Sequence, residues 1–252
     1  MGLWTPEHAI TLIPAIAVML AIGIILRITI GDKPLRIRMI PFQILAVIAF
    51  LLEIGKQVVS LSRGYDLYHL PFHFCSLFIF MLPVMAFYKG KHRGAVTAIT
   101  ASISASLFLL MLIYPNLIYS AWNIRNFFGD YLDFHTVAFH NVAMLEFVLI
   151  IFLNLYTPDK KRDIKAILVF ISCFCVVSAT MAQVLKTNYA NYYSCNIPPL
   201  EAVRVSLQGV IGAVPTQILY VLIVSALNVL FVLMCYGICS LLSRLFKRKT
   251  EE

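Results

Sequence analysis

Residues 214–243 read V-P-T-Q-I-L-Y-V-L-I-V-S-A-L-N-V-L-F-V-L-M-C-Y-G-I-C-S-L-L-S, thirty positions without one acidic or basic side chain. A helix needs roughly 20 mainly apolar residues to cross ~30 Å of hydrocarbon, so this stretch alone predicts a transmembrane helix. Working back toward the N-terminus finds six more runs of the same kind, near 9–30, 39–60, 70–88, 94–114, 135–156 and 164–186. Together they take up most of the 252 residues, in a chain that is 61% hydrophobic, 13% charged and +0.87 in mean hydropathy. Such a composition leaves too little polar surface to cover a soluble globule. The expected fold is all-α, a single seven-helix transmembrane domain over residues 1–252. The first run is too long, and followed by too many others, to be expected to act as a cleaved signal peptide.

Lysine and arginine set the expected orientation, because short cytoplasmic loops carry the excess of both. Lys33, Arg36 and Arg38 follow the first run; Lys89, Lys91 and Arg93 follow the third. Lys160, Lys161, Arg162 and Lys165 follow the fifth, and Arg244, Lys247, Arg248 and Lys249 follow the seventh. The other connections hold only Arg63, Arg125 and Arg204. The alternation predicts an outer or lumenal N-terminus and a cytoplasmic C-terminus. The net charge of +8 is spread over several span ends rather than gathered on one domain, so contact with anionic headgroups is expected and nucleic acid is not. The two longest connections, 115–134 and 187–213, fall on the outer side and hold aromatic and polar residues that could cap a cavity. Trp4, Tyr65, Tyr68 and Trp122 suit an interfacial aromatic belt. Nothing in the sequence fixes an oligomeric state.

Ionisable groups inside spans are costly and are usually functional or paired, and the outer halves of three runs contain several. Cys75 lies about five residues into the third run and His140 about five into the fifth, on the order of 8 Å below the outer boundary by helical rise. Glu53, Lys56 and Gln57 share one face of the second run through their i, i+3, i+4 spacing. His73 points roughly 200° from Cys75 on a helix and His135 about 140° from His140, which makes His135 a residue of the cavity mouth. Glu146 is deeper and is expected to meet a neighbouring helix. A thiolate is a strong nucleophile, and a nearby histidine can deprotonate it and return the proton to a leaving alcohol. That chemistry points to acyl transfer through a thioester, with lipids as the natural donors. The bland alternative is that Cys75 is a small packing residue.

Three motifs stand out: L-P-F-H-F-C-S-L at 70–77, F-H-T-V-A-F-H-N at 134–141 and T-N-Y-A-N-Y-Y-S-C-N-I-P-P at 187–199. With the opening W-T-P-E-H at 4–8, they resemble the motifs of the YwaF-like family that includes transmembrane protein 164. The resemblance covers nearly the whole chain. It implies a membrane lipid acyltransferase with Cys75 as catalytic cysteine and His140 as supporting histidine. In animal members the activity is understood as moving polyunsaturated acyl chains from phospholipids onto lyso-ether phospholipids; a bacterial member is expected to keep the chemistry on other lipids. The membrane would be the plasma membrane in a bacterium and an endomembrane in a eukaryote.

Around that pair, His73, His135, Glu53, Lys56, Gln57, Asn188, Asn191 and Arg204 are candidates for substrate binding, Arg204 because guanidinium holds phosphate in a bidentate fashion. Membrane lipids are the expected donor and acceptor, and no cofactor is expected. Cys173, Cys175, Cys235 and Cys239 read as packing residues or acylation sites. Cys195, in an outer connection, has only Cys75 as an outer partner, and a disulfide between them would remove the nucleophile. Two other classes stay open. A seven-span receptor or small transporter would use Glu53, Lys56 and the histidines to line a ligand or proton path. A metal or haem site would need His73, Cys75, His135 and His140 to converge.

Overall fold

A computed structural model describes residues 3–246 of the chain; the basic tail residues Lys247, Arg248 and Lys249 lie outside them. Helices α1 (Pro6–Ile30), α2 (Ile40–Ser62), α3 (Leu77–Phe87), α4 (Arg93–Ile113), α5 (Tyr131–Phe152), α6 (Lys160–Leu185), α7 (Pro198–Ile211) and α8 (Ala213–Leu245) carry the fold, with no strand among the described residues. By length and composition six segments can cross a membrane: α1, Leu35–Ser62, α4, α5, α6 and α8. The chain is an all-helical integral membrane protein. Large apolar side chains such as Ile28, Phe50 and Leu222 stand exposed on α1, α2 and α8, where hydrocarbon would solvate them.

Helix α4 is the axis. It packs against α3, α5, α6 and α8, and its Ala98, Ala101, Ser102, Ser104, Ala105 and Ser106 are all buried. Small side chains let neighbouring backbones approach closely. Their hydroxyls cost little there because each is bonded one turn back, Ser102 to Ala98 O at 2.7 Å and Ser106 to Ser102 O at 2.8 Å. Ser104 bonds Thr100 O at 2.8 Å and also reaches Glu146 Oε2 on α5 at 2.7 Å, so Glu146 does meet a neighbouring helix.

Three boundaries differ from the sequence reading, for local reasons. The third helix begins at Leu77, not at 70, because Leu70 before Pro71 is extended (φ −63°, ψ 147°) and His73 is extended again (φ −77°, ψ 155°). A 3₁₀ turn, Phe74–Ser76, precedes it. The fifth helix begins at Tyr131, capped by the Asp130 side chain on Leu132 N, so His140 lies more than two turns inside it and does not share the depth of Cys75 along its own helix. The connection 187–213 contains α7, which Pro198 and Pro199 open, and Gly212 at φ 89° turns it into α8.

Candidate functional site

A cavity of about 550 Å³ opens between α2, α3, α4, α5 and α8. Cys75 and His140 both line it, among polar residues that include Glu53, Lys56, His69, His73 and His135 and apolar ones that include Ile79, Leu107, Phe139, Leu227 and Phe231. Both long connections contribute walls, through Leu117 and Ile118 and through Asn188, Ala190, Asn191 and Asn196. A mainly apolar concavity of this size with several polar groups suits an amphiphilic ligand.

The polar side is organised by α2. Glu53 Oε1 receives Lys56 Nζ at 2.8 Å and Gln57 Nε2 at 2.7 Å, as their shared face requires. Gln57 is also bonded to His69 O at 3.1 Å and takes the Tyr65 hydroxyl at 2.8 Å, so it supports Glu53 rather than lining the cavity. Glu53 Oε2 faces His135 Nε2 at 3.4 Å, and each of these buried atoms lacks a hydrogen bond. His135 is 7% exposed; it belongs to the wall and not to the mouth.

Cys75 sits on the 3₁₀ turn ahead of α3, so the α-helical angle that separated it from His73 does not apply. His73 lines the same cavity but its Nε2 donates to Tyr68 O at 2.9 Å, and its ring rests against Tyr68 and Tyr189. His140 Nδ1 is 2.6 Å from Thr136 O. A carbonyl only accepts, so Nδ1 carries the proton and Nε2 of the neutral ring carries the lone pair. Phe139 separates the two histidines of α5, stacked on His135 at 5.3 Å and edge-on to His140 at 5.9 Å.

Of the remaining candidates, Asn188 and Asn191 reach the cavity and Arg204 does not. Asn188 Oδ1 accepts Tyr193 N and Ser194 N at 3.2 Å each, holding its own loop. Ala190 and Asn191 take left-handed conformations (φ 46° and 63°), a strain of roughly 1–2 kcal/mol for a residue with a Cβ. Tyr220, whose hydroxyl donates to Asn191 O at 2.5 Å, and Gln183 and Gln217, each donating to Tyr192 O at 2.9 Å, hold the segment there. Arg204 is occupied by Glu201 Oε1 at 2.5 Å and Gln217 Oε1 at 3.0 Å and lies over the Tyr220 ring; its guanidinium is not offered to a phosphate. Asn228, absent from the sequence candidates, lines the cavity from midway along α8 and bonds the Tyr192 hydroxyl at 3.3 Å. An amide inside thirty uncharged residues was the available sign.

All six cysteines are free, so Cys75 and Cys195 are not bridged. Cys235 and Cys239 are fully buried and serve as packing residues rather than as sites open to acylation. Among the described residues no group of three or more His, Cys, Asp or Glu is placed to hold a metal ion. Tyr68 O, Glu53 and Thr136 O direct the rings of His73, His135 and His140 separately, and these residues do not gather with Cys75 into such a group.

Fold and cavity together define a polytopic helical membrane protein with a thiol and an imidazole on one cavity. The chain belongs to the TMEM164 family, whose model matches residues 3–237. No curated relative and no solved structure matches it.

Proposed function

We propose that this protein is a lipid acyltransferase that carries a fatty acyl group on Cys75, with His140 as general base. The observation that carries the reading is that Cys75 and His140 line one cavity while the Thr136 carbonyl fixes the His140 proton on Nδ1. His140 Nε2 takes the thiol proton, the sulfur attacks an acyl ester, and the departing alcohol receives the proton. An acceptor hydroxyl, or water, then resolves the thioester. The apolar wall suits the acyl chain and the Lys56 side the headgroup.

In this reading α3 serves as the seventh span, completed by the 3₁₀ turn before it, the N-terminus is outer or lumenal, and the cavity opens to the outer side. The loop charges and the resemblance in the three motifs support it. The test is intact-protein and peptide mass spectrometry for a hydroxylamine-labile acyl group, in wild type, Cys75→Ser and His140→Ala. The expected result is an acyl mass on the Cys75 peptide, absent from the serine variant and diminished in the alanine one. An unmodified Cys75 in the presence of donor lipids would overturn the proposal and favour a receptor or transporter built on the Glu53, Lys56 and histidine side.

A further inference from the structure

The proposed chemistry uses His140 and leaves a second buried imidazole on the same wall without a task. His135 is 7% exposed, lines the cavity and presents Nε2 to Glu53 Oε2 at 3.4 Å. Neither of these two buried atoms has a hydrogen bond, although the other oxygen of Glu53 receives both Lys56 and Gln57. Native proteins leave few buried polar atoms unsatisfied, and those that persist call for an explanation. Lys56 and Gln57 hold the carboxylate by one oxygen and aim the other at the imidazole. Catalytic hydrogen bonds are often long before substrate binds and tighten with it, and a slight closure would complete this one.

His135 and His140 stand five residues apart, about 7.5 Å along the helix and roughly 140° around it, with the Phe139 ring between them. Two bases so separated cannot address the same atom from the same side. A thioester mechanism has two proton transfers from two different groups: the Cys75 thiol in the first half and the acceptor hydroxyl in the second. We infer that His135, positioned by Glu53, is the base for the acceptor, so that the site takes a lipid alcohol or water on the Glu53 side while His140 serves the thiol.

This inference rests on the thioester reading. In its step the acceptor oxygen attacks the thioester carbonyl, a carbon–oxygen bond forms and the carbon–sulfur bond breaks. The proton leaves the hydroxyl for His135 and the sulfur departs as a thiolate; exchange with water then takes the proton from His135 and returns one to the sulfur, so the products are an ester (or a free fatty acid, if water attacks) and the free thiol. No oxidant or further reactant enters. Glu53 acts through the imidazole and is a positioning residue.

The experiment separates the halves. Full-length protein in phosphatidylcholine nanodiscs is charged from the lipid, the acyl-Cys75 mass is followed, and the charged protein is chased with lysophosphatidylcholine or with hydroxylamine. Hydroxylamine attacks thioesters at neutral pH without a base. In His135→Asn the lysolipid and water chases are expected to slow by roughly 10²-fold, the low end of general-base contributions, and in Glu53→Gln by about tenfold, a smaller loss because the base itself remains. The hydroxylamine chase keeps the wild-type rate in both. The product, labelled ester or fatty acid, identifies the acceptor. Equal slowing of both chases, or of neither, would overturn the inference while leaving the thioester standing. A wild type that never acquires the acyl mass would overturn the reading beneath it and this one together. Thermal unfolding is recorded for each variant, and the isosteric Glu53→Gln decides the outcome if His135→Asn does not fold.

Discussion

His140 Nδ1 lies 2.6 Å from the carbonyl oxygen of Thr136, one helical turn back on its own helix. The bond turns a titratable ring into a one-sided base. ¹⁵N-histidine spectra of the protein in micelles at neutral pH are expected to show His140 as the Nδ1–H tautomer. A proton found on Nε2 would mean that the lone pair faces the helix and would count against its role toward Cys75.

Gly55 stands between Glu53 and Gln57 on α2, and a Cβ there would overlap the Tyr131 hydroxyl. Tyr131 opens α5 and donates to Leu52 O at 3.1 Å, so this glycine sets the approach of the two helices that carry Glu53 and His135. Gly55→Ala is expected to destabilise by about 1–3 kcal/mol, as overpacking does, and to lower the melting temperature. Gly237→Ala on α8, where nothing lies within 4 Å, is the control and is expected to be neutral or stabilising.

Asp163 is fully buried in the first turn of α6 and accepts from Tyr156 Oη at 2.8 Å, Asp159 N at 2.8 Å and Arg162 Nε at 2.7 Å. Asp163→Ala leaves three donors without their acceptor, at a cost of about 2–4 kcal/mol. Thermal melts should show the loss, with Tyr156→Phe losing only a part of it. Equal melting of Asp163→Ala and wild type would contradict this account of the cap.

His69 and His73, on the connection between α2 and α3, are held below the ordinary histidine value of 6.5, in both cases chiefly by burial. A lowered value means that the unfolded chain binds protons the folded one refuses. Stability is therefore complete above pH ~6.5 and falls as the pH drops below it. Melting temperatures should accordingly be higher at a pH of about 7.5 than at about 5.5, and His69→Gln with His73→Gln should reduce the difference.

Long apolar runs are legible because a bilayer demands them, and each predicted run corresponds to a helix, the third much shortened at its start by Pro71. The other misplaced starts are those where the first turn is polar: Asp130 and Asp159 cap helices whose opening residues resemble loop. Cys75 and His140 were visible as polar residues in apolar context. Asn228 is legible in the same way, as an amide inside an uncharged run, and the occupation of Arg204 by Glu201 is readable from their i, i+3 spacing. The pairing of Glu53 with His135 joins positions far apart in the chain and could come only from the packing of α2 on α5.

Helix α3 has 11 residues, about 16 Å by helical rise, and Cys75 stands just ahead of its first turn. In the proposed reading, with α3 as a span, so short a helix would hold the nucleophile toward the level of a phospholipid's own ester carbonyls. A donor would then react without being lifted from its leaflet. Drawing a single tail of roughly 16 carbons into water costs about 13 kcal/mol at ~0.8 kcal/mol per methylene, and the shortness of α3 would spare the proposed reaction that climb.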